Sequence, residues 1–258
     1  MSTEVIIITG ASSGIGEGFA RAFAEEGITL LLVARREERL LKLAEELKGK
    51  TAVFVLSEDL NDPEAPAVIQ AFCREKGWKV AGLINNAGFG WQQSFADTEE
   101  GHLSGMIRVN IQALTMLSRL FLPGMVERKK GFILNVASTA AFQAIPYFSV
   151  YAASKAYVLS LSEALYEEVR GHGVHVCALC PGPVATEFQQ VAGMEPRFFA
   201  KSQSVDEVVR AGMTLLRRKS AVGWTSIFQR IFSLLSELSP RALRRMGAAA
   251  MMKASGAK

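Results

Sequence analysis

Apolar residues along this chain fall into two kinds of run. Short blocks at residues 5–9, 29–34, 51–56, 80–85, 132–137 and 174–180 are too short for helices and rich in β-branched side chains, which predicts strands. Segments such as 15–26, 36–48 and 63–76 repeat their apolar positions with helical spacing and predict helices. Strand and helix alternate along the chain, which means βαβ units. The expected fold class is therefore α/β, with a parallel sheet covered by helices on both faces and joined by right-handed crossovers. No internal repeat or low-complexity stretch competes with this reading.

Composition narrows the picture further. The chain has 258 residues, 49% of them apolar and 21% charged, and no apolar run of eighteen or more. It is long enough for one substantial core, and nothing in it reads as a linker between two globular halves or as a bilayer span. MSTE leads directly into VIIIT without a basic n-region, so no signal peptide is expected and the location should be cytoplasmic. Three cysteines, Cys73, Cys177 and Cys180, make an odd set without an export signal, which argues against a disulfide framework. Cys177 and Cys180 lie on one predicted strand, and their separation of three sends them to opposite faces. They read as buried, inert thiols rather than a metal pair. His102, His172 and His175 form no ligand cluster, and no metal is expected.

Chemistry enters at two places. Between the first predicted strand and the first predicted helix lies TGASSGIG, residues 9–16. A helix N-terminus in that position turns its amides and dipole toward a pyrophosphate. Gly10 permits the tight turn, Gly14 lets backbone approach a ligand, and Gly16 lets the helix pack near the sheet. The spacing is G-x-x-x-G-x-G rather than the general dinucleotide G-x-G-x-x-G, so a glycine-rich turn without a ligand stays open on the glycines alone. The second place is YAASK, where Tyr151 and Lys155 stand four residues apart, with Ser138 thirteen residues before the tyrosine. A phenol titrates near pH ~10 and is a poor proton donor at neutral pH unless a neighbouring cation stabilises its phenolate. On a helix, Lys155 shares a face with Tyr151 and can be that cation.

TGASSGIG, NNAG at 85–88, Asn110, Ser138, YAASK at 151–155 and PGPVAT at 181–186 occur in the order and spacing of the short-chain dehydrogenase/reductase family, classical subclass. The resemblance covers the chain to about residue 220. It implies a single Rossmann-type domain, residues 1–223, with a doubly wound parallel sheet of about seven strands, the last near residues 220–224. It also implies a homodimer or homotetramer formed through two long central helices near 99–128 and 150–170. Its implied catalytic set is Asn110, Ser138, Tyr151 and Lys155. Tyr151 would exchange a proton with a substrate carbonyl or alcohol oxygen while hydride passes to or from a nicotinamide. Ser138 would position that oxygen. Lys155 would lower the tyrosine pKa and hold the nicotinamide ribose, and Asn110 would maintain a water relay to the lysine. Singly, each residue has another reading: Asn110 could bend a helix, Ser138 could end a strand, and Tyr151 could be an amphipathic surface residue. The joint spacing argues against those readings.

For coenzyme binding the resemblance implies Gly10, Ser12, Ser13, Gly14, Ile15 and Gly16 at the first turn. It adds Arg35 after the second strand, Asp59 and Leu60 after the third, and Asn86, Ala87 and Gly88 after the fourth. Tyr151, Lys155, Pro181, Gly182, Val184 and Thr186 complete the set. NAD-binding relatives carry an acid after the second strand for the ribose 2′-hydroxyl, whereas this chain reads LLLVARREE. Arg35 suits a 2′-phosphate, because a guanidinium can fork to phosphate and stack on adenine. The basic residue that many NADP-dependent relatives place before the middle glycine is here Ser13, and Arg36 reads as a solvated charge at a helix start. NADP(H) is expected in preference to NAD(H).

Residues 183–204 stand where the family carries its substrate lid, and Phe188, Val191, Met194, Phe198 and Phe199 would make it apolar. Phe142, Ile145, Tyr147 and Phe148 also suggest an apolar carbonyl or alcohol substrate. From Trp224 onward six bases, Arg230, Arg241, Arg244, Arg245, Lys253 and Lys258, face one acid, Glu237. Ile227, Phe228, Ile231, Phe232, Leu235 and Leu238 recur on one helical face, so residues 224–258 read as a basic amphipathic helical extension. Packing on its own subunit or a partner is the favoured reading, and weak contact with a membrane surface is the other. The expected activity is NADP(H)-dependent interconversion of a carbonyl and a secondary alcohol. A 3-ketoacyl-thioester reductase is the nearest rival, and a non-catalytic cofactor-binding regulator is disfavoured by the intact catalytic set. No nucleic-acid partner is expected.

Overall fold

Each apolar run becomes a strand because β-branched and leucine side chains fill both faces of a covered sheet. In the computed structural model, which describes residues 3–194 and 202–254, these strands are β1 (Glu4–Thr9), β2 (Leu30–Ala34), β3 (Val53–Ser57), β4 (Lys79–Asn85), β5 (Gly131–Val136) and β6 (Val174–Cys180). A short β7 (Val222–Trp224) extends the edge at the place expected for the last strand. All seven are parallel, in the order β3-β2-β1-β4-β5-β6-β7. The order reverses direction between β1 and β4, and such a switch point opens a crevice at the carboxyl ends of the strands.

Helices α1 (Gly14–Glu25), α2 (Glu37–Leu47) and α3 (Ala65–Glu75) follow the first three strands. The first central helix begins as α4 (Glu100–Ile107), loosens into one π-helical turn over Arg108–Ala113, and continues as α5 (Leu114–Glu127). The second is α6 (Ser149–Val169), and α7 (Phe188–Val191), α8 (Val205–Arg218), α9 (Ile227–Leu238) and α10 (Arg241–Ala254) complete the chain.

Successive residues of each inner strand serve different layers. On one side Ile6, Ile8, Leu32, Leu134 and Leu179 meet Phe19 and Phe23 of α1 and Val208 of α8. On the other, Val5, Ile7, Leu31, Leu83 and Ile133 meet Ile69 of α3 and Leu117 and Met125 of α5. Cys177 packs in the first layer and Cys180 against α6 residues on the opposite face, as their spacing predicts. Burial pushes the Cys180 thiol up to about 12, so it stays protonated.

Among the apolar residues of the sheet stand two buried asparagines paired in register, Asn85 on β4 and Asn135 on β5. The Asn85 amide donates to Asn135 Oδ1 at 2.9 Å and to Ser118 Oγ of α5 at 3.1 Å, and Asn135 donates to Ser162 Oγ of α6 at 2.9 Å. This row fixes both central helices against the sheet, because sliding either would leave buried amides unpaired.

The amphipathic face expected after Trp224 exists, and among the described residues most of it is left uncovered. Ser233 and Ser236 turn inward, while Ile227, Phe228, Ile231, Leu235 and Leu238 are each more than half exposed. The polar side of α9 is the anchored one. Gln229 shares hydrogen bonds with Thr225 and Gln203, and Arg230 lies over the Trp224 ring. Among the described residues no helix is long and apolar enough to cross a membrane. Phe198, Phe199 and Lys258 lie outside the described residues.

Candidate active site

The first turn is shaped by close approach. Gly10 has φ of 64°, a left-handed conformation that favours glycine. At Gly16 an added Cβ would stand 2.4 Å from the Gly10 carbonyl oxygen and 2.5 Å from Asn86 Nδ2, so no side chain fits. Asn86 locks this arrangement by donating to Thr9 O at 2.9 Å and Gly10 O at 3.2 Å, and Thr9 Oγ1 accepts from the amides of Asn86 and Ala87. The amides opening α1, with Ser12 and Ser13 beside them, therefore face the crevice at the switch point. That donor set fits the phosphates of a dinucleotide.

Arg35 and Arg36 differ in placement. Arg35 is largely exposed and stands 3.9 Å from Asp59. Arg36, expected as a solvated charge, is engaged instead. Its guanidinium donates to Ser12 Oγ at 3.1–3.2 Å, to Ser13 Oγ at 2.8 Å and to Glu187 at 2.7 Å. Arg39, one helical turn further on, donates to the other Glu187 oxygen at 2.6 Å. Asp59 Oδ1 accepts from Asn61 N at 3.0 Å and shapes the turn after β3, where Leu60 is buried.

The other half of the site forms where β5, α6 and the π-helical turn meet. Ser138 lies in extended backbone just after β5, caps a tight helical turn at Thr139–Phe142 and accepts from Ala140 N. Its hydroxyl is near enough to Tyr151 to draw the phenol pKa down. Tyr151 and Lys155 lie on the buried face of α6. The Lys155 ammonium donates to Val136 O at 2.7 Å and sits 5.7 Å from the centre of the tyrosine ring. Asn110 is buried in the π-helical turn, where its amide donates to Phe89 O at 2.9 Å and Ser154 Oγ at 3.0 Å while Oδ1 accepts from Phe89 N. It adjoins Lys155 across Gly88, whose Cβ position would lie 3.0 Å from Asn110 Oδ1 and 3.4 Å from Lys155 Nζ. The four residues named from sequence thus converge.

Burial is the largest influence on the charge of both groups in this structure. Burial pushes the Tyr151 phenol up to about 12, and only Ser138 draws it down. Burial also pushes Lys155 down to about 8. Both groups resist charge because each has left water.

The surroundings of Tyr151 are apolar. Phe148 stacks on Tyr151 with ring centres 4.4 Å apart, and Phe188 of α7 covers it at 5.3 Å. Met106, Ile145, Ala192 and Met252 are buried in the same cluster. The chain leaves β6 through Pro181 and Gly182, and paired backbone hydrogen bonds join Pro183 and Ala185 to Gln203. An added Gly182 Cβ would meet Gln229 at 2.2 Å, so α9 seats directly on the proline-glycine turn. Gly14 and Thr186 face each other across the crevice, the threonine methyl 3.0 Å from the glycine's Cβ position, and Val184 is buried. Sequence reasoning missed Arg39, Glu187 and Met252. Arg39 had a signal, since three residues after Arg36 on a helix is the same face. The other two arrive from distant segments with no local signature.

Comparison with known proteins bears on the family and the fold. A family profile described as short chain dehydrogenase matches residues 4–196. Sulfoacetaldehyde reductase 2 of Chromohalobacter salexigens is 37% identical over 191 residues, 73% of this chain and 76% of that protein. The very-long-chain 3-oxoacyl-CoA reductase of Homo sapiens is 32% identical over 199 residues, 73% of this chain but only 62% of that protein. Among solved structures, a short-chain dehydrogenase from Sphingobium yanoikuyae in complex with NADPH superposes with TM-score 0.83 at 34% identity, over 90% of this chain and 92% of that one. One from Burkholderia phymatum in complex with NAD superposes with TM-score 0.79 at 25% identity, over 91% and 92%.

The lysine's burial makes a measurable prediction. Folded Lys155 loses its proton near pH 8, whereas in the unfolded chain it does so near its ordinary 10.5. Between these values the unfolded state binds more protons, so stability rises with pH. In urea unfolding from pH 7.5 to 10.5, wild type should gain up to ~3 kcal/mol relative to Lys155→Met, at about 1.4 kcal/mol per pH unit. A pH-independent difference would show that Lys155 titrates normally.

Proposed function

We propose that this chain, which belongs to the short-chain dehydrogenase family and is an NAD(P)-dependent oxidoreductase, interconverts an apolar carbonyl and its secondary alcohol using NADP(H). The observation that carries this reading is the convergence of Ser138, Tyr151 and Lys155 beside an apolar cluster at the mouth of the glycine turn. A nicotinamide coenzyme supplies hydride exchange when bound. Ser12, Ser13 and the amides opening α1 would hold its phosphates, and Lys155 its nicotinamide ribose. Tyr151 gives its proton to the substrate oxygen during reduction and takes it back during oxidation, and Ser138 orients that oxygen. Phe148, Phe188 and Met252 exclude water from the reacting atoms. Asn110 holds the Phe89 backbone and Ser154, which keeps α6 and its tyrosine in register with the crevice.

A 3-ketoacyl thioester is a second substrate reading, favoured by the likeness to the human very-long-chain 3-oxoacyl-CoA reductase and by the apolar lining. A panel of bulky ketones and 3-ketoacyl thioesters, followed by NADPH absorbance, separates the two. With any substrate so found, Tyr151→Phe should lower kcat/KM roughly 100- to 10,000-fold while NADPH binding stays within about twofold. Near-normal turnover would remove the mechanism.

Preference for NADP(H) rests on the basic cluster after β2. Arg36 already bonds both serine hydroxyls of the turn, so a 2′-phosphate placed there would meet its guanidinium, with Arg35 flanking. Arg36→Ala should raise the NADPH dissociation constant about tenfold or more and barely change that of NADH, and Arg35→Ala should act in the same direction more weakly. Equal losses of both coenzymes would assign the arginines a structural role.

We further infer that the outward apolar face of α9 meets a second copy of this chain. Arg230 and Arg244 turn back onto Trp224 and the Phe142 carbonyl, and the exposed Glu237 stands on the same helix. An anionic lipid surface would therefore find fewer presented bases than the tail's composition implies. Phe228→Glu combined with Leu238→Glu should lower the assembly mass measured by light scattering, with no liposome binding by the parent chain. An unchanged mass together with salt-sensitive liposome binding that the variant loses would assign the face to lipid.

A further inference from the structure

Glu187 is the first residue after the PGPVAT turn, and it reaches across the crevice to the coenzyme side. Its two carboxylate oxygens are divided between two guanidinium groups, Oε2 with Arg36 at 2.7 Å and Oε1 with Arg39 at 2.6 Å. The other edge of Arg36 is held by the Ser12 and Ser13 hydroxyls. Two guanidinium groups, one of them held in place by two serine hydroxyls, share a single carboxylate, and phosphate satisfies the same donors as carboxylate. Arg39 and Arg36 hold the Glu187 carboxyl well below the usual range, at about 2, so it is ionised at every pH of interest.

Glu187 is also mechanically connected. The next residue, Phe188, lies over the ring of Tyr151, and Ala192, at the end of the same short helix, is buried in the substrate-side cluster and accepts a hydrogen bond from Gln92 N through its carbonyl at 2.9 Å. The clamp on Glu187 therefore fastens the start of the segment that covers the catalytic tyrosine.

We propose that Glu187 is an internal competitor for the coenzyme 2′-phosphate: its carboxylate fills the Arg36–Arg39 position, and a 2′-phosphate displaces it and frees the start of α7. The proposal rests on the NADP(H) reading above. A 2′-hydroxyl brings no anion and leaves the clamp closed, so Glu187 makes the start of α7 responsive to which coenzyme is bound. Because the three side chains are each roughly half exposed, water and salt screen the clamp and the effect is moderate.

The test uses the full chain without substrate and measures binding of NADPH, NADH, adenosine 2′,5′-bisphosphate and adenosine 5′-monophosphate to wild type, Glu187→Gln, Arg36→Ala and Arg39→Ala. Glu187→Gln should tighten NADPH and the bisphosphate roughly three- to tenfold, more at low salt than at high, and leave NADH and the monophosphate within about twofold. Arg39→Ala should weaken the two 2′-phosphorylated ligands selectively. If Arg36→Ala weakens NADPH but Glu187→Gln leaves it unchanged or weaker, competition is overturned and the coenzyme reading survives. If neither Arg36→Ala nor Arg39→Ala separates NADPH from NADH, the coenzyme reading itself fails and the competition with it.

Discussion

The start of α1 lies so close beneath the ends of β1 and β4 that Gly16, Gly10 and Asn86 leave no room for one methyl group, and the site is assembled around that contact. Asn86 and Thr9 hold it by bonding the backbone of both strand ends. A helix beginning so near the sheet points its unpaired amides into the crevice that the strand order opens. Loosening the contact would move Ser12 and Ser13 away from Arg36. It would also widen the gap that Thr186 closes over Gly14.

A second constraint fixes the catalytic half relative to the first. Asn85 and Asn135 are buried polar groups in an otherwise apolar sheet, and each amide donates to a serine, Ser118 of α5 or Ser162 of α6, that must stand at the right height. Hydrophobic contact alone is tolerant of small slides, whereas an unpaired buried amide is not. Tyr151 and Lys155 inherit their height from this register. The π-helical turn at Arg108–Ala113 has a comparable effect from the other central helix. It brings Asn110 inward to bond the Phe89 backbone and Ser154, one residue from Lys155.

Burial then sets the chemistry. Tyr151 and Lys155 sit in a water-poor cluster where charge on either is unfavourable, which holds the phenol protonated and brings the ammonium toward neutral pH. A protonated tyrosine beside an apolar wall suits reduction of a carbonyl. At the opposite end of the crevice the balance is reversed. Arginines and serine hydroxyls are half exposed, keep their water, and favour anions. Glu187 joins the two environments, since one side of its short helix answers to the arginines and the other rests on the tyrosine.

Periodicity and local chemistry placed the strands, the helices after them, the glycine turn and the Tyr151–Lys155 pair, because each depends on residues within one or two turns of chain. Strand burial on both faces and the opposite destinations of Cys177 and Cys180 were legible for the same reason. The family motifs extended that reading to Ser138, Asn110 and the seventh strand. What the sequence did not determine was which side chains from distant segments would compete for one place. Arg36 looks like a solvated helix-start charge until Ser12, Ser13 and Glu187 are brought to it. The apolar face of α9 looks like a core face until Gln229 anchors the helix by its polar side. In each case the outcome turned on desolvation and hydrogen-bond partners supplied by segments far apart in the chain, and those exist only once the tertiary structure has formed.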